Sequence, residues 1–112
     1  MRWVLGLVML AGSVLAGPAL ADGKLDGKAI GAALTGKVLA YDDGSTQSFM
    51  ADGETVYNKG SDSIGHWRVE GDRYCSVWPP SDHWACYDVT AAGAAISFVA
   101  DGGSASVGHL KN

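Results

Sequence analysis

Closely spaced turn signals constrain the fold of this chain more than any other feature. After Gly36, turn signals recur about every 8–12 residues, between runs rich in β-branched and aromatic residues, and four of these turns combine aspartate with glycine. The turns are at 42–44, 51–53, 70–72 and 101–103. Parallel strands need connections of a dozen or more residues, so this spacing excludes a parallel α/β fold. The pattern predicts a mainly β fold, an antiparallel meander of seven to eight short strands forming a small barrel or half-barrel.

Alternation within the runs predicts which side chains face the interior. Gly65, Trp67 and Val69 alternate with His66, Arg68 and Glu70, which is the period of a strand with one wet face. The predicted strands are 37–41, 47–50, 55–57, 65–70, 74–78, 83–89, 95–99 and 106–110, with a polar loop at 58–63. The predicted interior residues are Leu34, Val38, Phe49, Trp67, Val69, Ile96 and Phe98.

Residues 26–36 form the one convincing helical stretch. Asp26 can cap its first turn, and Gly36 is placed to end it. Ile30 and Leu34 are four apart, so they share one face. Internal glycines weaken the helix, and we therefore expect it to depend on packing against the rest of the domain.

Residues 1–21 have the pattern of a cleaved secretory signal peptide. A positive start at Arg2 precedes an apolar run over 3–16, and Ala19-Leu20-Ala21 offers the small-x-small cleavage pattern. No cysteine follows that run, so lipid attachment is not expected. The prediction is a single small β domain over 22–112, periplasmic or secreted, with no membrane contact after cleavage.

The charge balance argues against polyanionic partners. The whole chain carries a formal charge of −4, and removal of Arg2 with the signal makes the remaining domain more negative. An acidic domain is repelled by nucleic acid and by anionic membranes. The expected partner is instead an unknown protein or a small ligand.

Cys75 and Cys86 are the only cysteines, and an exported chain of this size favours a disulfide between them. Closing a loop of about a dozen residues stabilises a domain by about 2.5–3 kcal/mol. A free thiol or a two-cysteine zinc site is the alternative. A cross-strand bond fixes the hairpin register, and the resulting facing pairs are Val77 with Trp84, Arg73 with Asp88, Tyr74 with Tyr87, and Trp78 with His83.

The tip of this hairpin is the predicted candidate binding surface. It comprises Trp78, Pro79, Pro80 and His83, around a four-residue loop at 79–82. Tryptophan is a common anchor of binding surfaces, although packing in the core is the alternative for a small β domain. We expect partial exposure for Trp78, and burial for Trp84 on a cysteine face that looks inward.

No catalytic arrangement is recognisable in the sequence. It has no nucleophile elbow, glycine-rich phosphate loop or H-E-x-x-H motif. A faint repeat relates residues 49–53 to 98–102, and 63–68 to 106–111, which places His66 and His109 in equivalent positions. A metal or haem site is the alternative there to solvated histidines, which are the ordinary interpretation. We predict no enzyme activity, no cofactor and no metal.

Five motifs, taken in order, resemble small exported alphaproteobacterial proteins of the DUF995-like kind. They are Leu34-Thr35-Gly36-Lys37, Phe49-x-x-Asp52-Gly53, Gly65-His66-Trp67-Arg68-Val69, Tyr74-Cys75 and Trp84-x-Cys86-Tyr87. The resemblance implies a periplasmic β domain with one disulfide and no known activity. A more distant similarity is to AprI/Inh-type periplasmic protease inhibitors, which are small eight-stranded barrels. The sequence thus predicts a non-enzymatic binding or structural module, with a protease inhibitor as the alternative.

Overall fold

The computed structural model describes residues 22–111, and the predicted signal peptide at 1–21 lies outside the described residues. Eight antiparallel strands form a closed barrel, in which each strand pairs with the next and the last pairs with the first. They are β2 (Val38–Tyr41), β3 (Thr46–Phe49), β4 (Glu54–Asn58), β5 (Asp62–Glu70), β6 (Arg73–Val77), β7 (Ala85–Ala92), β8 (Ala95–Val99) and β9 (Ala105–Leu110). The predicted mainly β barrel is confirmed.

A two-residue strand at the start of the domain extends the sheet beyond the prediction. Strand β1 (Gly23–Lys24) pairs with β7 at Ala91 and Thr90. It lies on the same side of β7 as β6, whose pairing with β7 ends at Tyr87. Leu25 then donates its amide hydrogen to the Val89 carbonyl and buries its side chain. The segment that precedes the helix is therefore fastened to the barrel wall.

The predicted helix is confirmed as α1 (Gly27–Leu34). The Asp26 carboxylate caps it by accepting from the Ala29 amide at 2.9 Å. The Gly27 amide donates to the Asp72 carboxylate at 2.8 Å in the β5–β6 turn, and a Cβ on Gly27 would lie 2.1 Å from the Gly71 oxygen. Only glycine allows this approach, which fixes the helix against one end of the barrel.

The interior combines the buried face of α1 with inward residues from the strands. Phe49 lies at its centre, and its ring centroid is 5.7 Å from that of Trp67 and 5.9 Å from that of Tyr74. The buried apolar cluster comprises Leu25, Ile30, Ala33, Leu34, Leu39, Phe49, Trp67, Tyr74, Val89, Ala91, Ile96 and Phe98. Five of the seven predicted interior residues are in this cluster.

The other two predicted interior residues are half-buried. Val69 packs against the cluster from its margin. Val38 was predicted on the wrong face, because Leu39, its neighbour on β2, is the fully buried residue. Adjacent strand residues point to opposite faces, so Leu39 inside places Val38 outside.

The disulfide hairpin has the predicted register. Cys75 is bonded to Cys86, and the flanking pairs are Tyr74 with Tyr87 and Ser76 with Ala85. The Arg73 guanidinium lies 3.1 Å from the Asp88 carboxylate, as expected for facing residues. The pairing ends at Ser76, so the connection runs from 78 to 84 and is longer than the predicted four-residue loop.

The cysteine face of this hairpin looks outward, so the expectation that it looks inward is wrong. Tyr74 belongs to the interior cluster, and Cys75 therefore points to the outer surface, where neighbouring groups still bury it fully. Trp84 is half-buried on this outer face, with the Arg68 guanidinium carbon 3.7 Å from its ring centroid. This is a favourable cation–π contact at the barrel surface.

In the part of the chain that the structure describes, α1 is the sole helix, and it is too short to cross a membrane.

Candidate functional site

A cavity of about 300 Å³ lies inside the barrel, toward the end opposite α1. The helix begins against Gly71 in the turn that precedes β6, whereas the cavity is bounded by Trp78 just after that strand ends. Its aromatic walls are Tyr41, Tyr57, Tyr74, Trp78, Tyr87 and Phe98. Its polar walls are Asp43, Ser45, Gln47, Ser76 and Ser106. The cavity thus combines ring faces with hydrogen-bonding groups.

Two glycines make room for the aromatic walls. A Cβ on Gly65 would lie 2.7 Å from the Trp78 indole, so the indole rests directly on the backbone of β5. A Cβ on Gly108 would lie 3.0 Å from the Tyr41 ring. Both glycines are buried, and a larger residue at either position would displace the ring beside it.

Gln47 organises the polar floor of the cavity. Its amide oxygen accepts from the Tyr41 hydroxyl at 2.7 Å. Its amide nitrogen donates to the Thr55 hydroxyl at 3.0 Å and to the Tyr74 hydroxyl at 3.3 Å. Gln47 is only 8% exposed, and both amide hydrogens are used. The amide therefore holds two tyrosine hydroxyls at fixed positions.

Burial keeps these two tyrosines in the neutral form. Loss of solvation raises the pKa of Tyr74 to about 12. It also raises the pKa of Tyr41, with smaller contributions from Tyr74, Tyr57 and Asp43. Burial disfavours a charged phenolate. Near neutral pH both side chains are hydrogen-bonding phenols.

The rim of the cavity carries one carboxylate, that of Asp43. One oxygen accepts from the Ser45 amide and hydroxyl, and the other lies 3.1 Å from the Lys59 ammonium. The two hydrogen bonds from Ser45, and then the one from Lys59, lower the pKa of Asp43 to about 2. Asp43 is therefore anionic at any pH where the domain would operate.

The structure separates the four residues of the predicted binding surface. Trp78 is half-buried and forms part of the cavity wall, with its ring centroid 6.5 Å from that of Tyr57. Pro79 and Trp78 border a neighbouring groove of about 520 Å³. Pro80 and His83 are exposed and border neither the cavity nor the groove. Binding at this surface stays a prediction.

Sequence reasoning missed the residues that make the cavity, above all Tyr41, Gln47 and Tyr57. A signal for one of them was present, because Gln47 shares the inward face of β3 with Phe49. A polar residue at an inward strand position indicates a buried network or a cavity. Tyr41 and Tyr57 gave no comparable signal.

The three histidines are exposed and lie apart from the cavity wall. Among the described residues, one group of three potential metal ligands occurs, formed by Glu70, Cys75 and Cys86. The two sulfur atoms in that group are bonded to each other and offer no thiolate. While the disulfide is intact, the Glu70 carboxylate is the one ligand left in this group, and one carboxylate is too few to form a metal site.

The protease-inhibitor alternative assigns function to the segment from Asp22 to Leu25. In the structure this segment is part of the sheet, and the Asp22 carboxylate also accepts from the Gly93 amide at 3.0 Å. Leu25 is buried. The alternative stays a prediction, and its test requires substitutions at the exposed Lys24, because deleting Leu25 would open the core.

No family model, curated protein or solved structure matches this chain. The resemblance to DUF995-like proteins and to AprI/Inh-type inhibitors therefore stays a prediction.

Proposed function

We propose that this chain is an exported, non-enzymatic binding module that takes a small ligand into the open end of its barrel. The observation that carries the proposal is the cavity of about 300 Å³, where aromatic rings and polar groups converge. Small-molecule sites are typically concave, largely apolar and supplied with a few placed polar groups. The barrel end beside Trp78 has this composition.

The side chains of the cavity are held in place before any ligand arrives. Gln47 fixes the hydroxyls of Tyr41 and Tyr74, and Gly65 fixes the indole of Trp78. Preorganised groups lose little conformational entropy on binding, which favours affinity. The hydroxyls of Ser76 and Ser106 also line the cavity and can hydrogen-bond a guest.

The chemistry of these groups supports binding over catalysis. Tyr41 and Tyr74 remain neutral because burial raises the pKa of each. A neutral phenol is a hydrogen-bonding group and a poor nucleophile or base near neutral pH. The low pKa of Asp43 also makes this carboxylate a weak general base.

The bonded cysteines support the export part of the proposal. Disulfides form and persist in the periplasm or outside the cell, where thiols are oxidised. Cys75 and Cys86 are bonded across adjacent strands. A signal peptide at 1–21 would deliver the chain to such a compartment, and N-terminal sequencing of exported material, expected to begin at Asp22, checks it.

Titration with benzyl alcohol, a neutral aromatic probe, tests whether the cavity binds small molecules. Ser106 on β9 pairs with Phe98 and faces the cavity. Ser97 on β8 belongs to the adjacent residue pair, with Val107, and faces outward, so it provides a matched control. We expect saturable NMR shift changes around the cavity, lost in Ser106→Phe and kept in the control Ser97→Phe. Absence of saturable shifts, or equal shifts in Ser106→Phe, would reject the proposal.

A further inference from the structure

We infer that the ligand of this cavity carries a protonated amine, bound by Asp43 beside the rings of Tyr41 and Tyr57. This inference rests on the proposed binding function and names the chemical class of the ligand. It depends on the direction of the hydrogen bonds at the rim, on the unused capacity of one carboxylate, and on the arrangement of three aromatic rings.

The Tyr41 hydroxyl is arranged to accept a hydrogen bond from a ligand. The Tyr41 hydroxyl donates its hydrogen to the Gln47 amide oxygen, so the lone pairs of the hydroxyl oxygen remain available to a ligand. Gln47 donates both of its amide hydrogens, to the hydroxyls of Thr55 and Tyr74. The hydroxyls of Tyr74, Ser76 and Ser106 can still donate elsewhere in the cavity. At the Tyr41 oxygen, however, a ligand can only donate a hydrogen bond, so a donor group fits this position.

Asp43 has room for one more donor. An ionised carboxylate has about four acceptor positions. Ser45 fills two of them on one oxygen, and Lys59 approaches the other oxygen at 3.1 Å. One acceptor position of Asp43 is therefore open, and a ligand in the cavity that Asp43 lines can donate to it.

An ammonium group, that of Lys59, already lies against this carboxylate. Its ammonium reaches Asp43 from outside, since Lys59 does not line the cavity and its side chain is 62% exposed. Exposed ion pairs of this kind contribute little to stability, because water screens them. A ligand ammonium can therefore join Asp43 beside Lys59 or displace it at little cost.

Three aromatic rings follow one another along the same wall. The centroids of Tyr41 and Tyr57 are 6.3 Å apart, and those of Tyr57 and Trp78 are 6.5 Å apart. Faces of tyrosine and tryptophan rings attract cations, and a carboxylate beside them adds to that attraction. The formal charge of −4 on the chain further favours a cationic ligand.

A comparison of benzylamine with benzyl alcohol tests the inference, because the two share a ring and differ in the charged group. We expect benzylamine to bind wild-type protein at least about tenfold more tightly at neutral pH and low salt. Asp43→Asn should abolish the preference. Asp52→Asn is the matched control, because Asp52 makes the same turn hydrogen bond, to the Glu54 amide at 2.9 Å, outside the cavity.

Lys59→Gln supplies a second test that leaves the Ser45 contacts of Asp43 intact. Removing the competing Lys59 ammonium should tighten benzylamine binding several-fold and leave benzyl alcohol binding unchanged. The inference is overturned if the preference survives in Asp43→Asn, or if wild-type protein binds the two probes equally. If wild-type protein binds the two probes equally, the cavity still binds ligands and the proposed function stands. If neither probe binds, both the proposed function and the amine inference are rejected.

A lysine side chain of a partner protein presents the same ammonium as a free amine. Titration of Nα-acetyl-lysine methylamide beside benzylamine separates the two sources. Tighter binding of benzylamine assigns the cavity to a free aromatic amine, and tighter binding of the lysine derivative assigns it to a protein. Binding of neither cationic probe overturns the inference.

Discussion

The indole of Trp78 lies directly on the backbone of Gly65. A Cβ at Gly65 would be 2.7 Å from the indole and 2.7 Å from the carbonyl oxygen of Val77. One of these obstacles is a backbone atom of the adjacent strand and cannot move without disturbing the sheet. The absence of a side chain at Gly65 is therefore what allows Trp78 to form the cavity wall.

Gly65→Ala should destabilise the domain by about 1–3 kcal/mol, because the added methyl overpacks a site bounded by backbone. It should also move the Trp78 indole outward and shift tryptophan emission to longer wavelength. Urea unfolding followed by fluorescence measures both effects. Gly31→Ala is the control, since nothing lies within 4 Å of its added carbon, and this helix substitution should stabilise by about 0.5–1 kcal/mol.

Gln47→Leu should cost about 1–3 kcal/mol of unfolding free energy, because it removes the hydrogen-bond partner of the Tyr41 and Tyr74 hydroxyls inside the barrel. Chemical denaturation gives the value. Thr46→Val, one residue earlier and on the opposite face of β3, should change stability much less. Equal losses in the two variants would mean that the buried network contributes little.

Stability should fall at alkaline pH because of the buried tyrosines. An unfolded tyrosine ionises near pH 10, whereas burial raises the pKa of Tyr74 to about 12 and also raises that of Tyr41. The unfolded chain then binds fewer protons than the folded chain, so this stability is complete below about pH 10 and is lost as pH rises toward 12. Urea unfolding at stepped pH, followed by tyrosinate absorbance, measures the loss.

Tyr41→Phe should make the alkaline loss shallower, because it removes one of the two groups responsible. A wild-type protein whose tyrosines all ionise near pH 10 without unfolding would contradict this assignment.

Removal of the disulfide should destabilise the domain by about 3 kcal/mol. The bond joins residues 11 apart, and loss of this loop constraint enlarges the unfolded ensemble. Equilibrium unfolding of Cys75→Ala/Cys86→Ala checks the value, with wild-type protein under reducing conditions as the comparison. Because the bond is on the outer face, we expect the variant to keep the cavity. Loss of benzyl alcohol binding in the folded variant would show otherwise.

The sequence was sufficient to predict the eight barrel strands, the helix and the hairpin register, because each depends on local signals, whereas the two-residue strand β1 was missed. Asp26 marks the helix start, and Cys75 with Cys86 marks one pair of facing residues. The face of β2 was harder to predict, since Val38 and Leu39 are both apolar. Which of them points inward depends on the stagger of β2 against β9, a relationship between distant parts of the chain.

The cavity could not be predicted for the same reason. Tyr41 and Ser106 meet there only because β9 closes onto β2, which no short pattern encodes. The internal repeat was the nearest available signal. It equates Gly65 with Gly108, and in the structure each is an inward glycine with an aromatic ring against it, whereas the equivalent His66 and His109 are exposed.

The closure of the sheet also limits how this protein can meet other proteins. Every strand from β2 to β9 has a neighbour on both sides. β1 pairs with the end of β7 that does not pair with β6. Within residues 22–111, the barrel therefore offers no long unpaired edge onto which a foreign strand could add, the usual route to β-aggregation. A partner that docks on the barrel wall must recognise side chains, and exchange of strands between copies would first require the barrel to open.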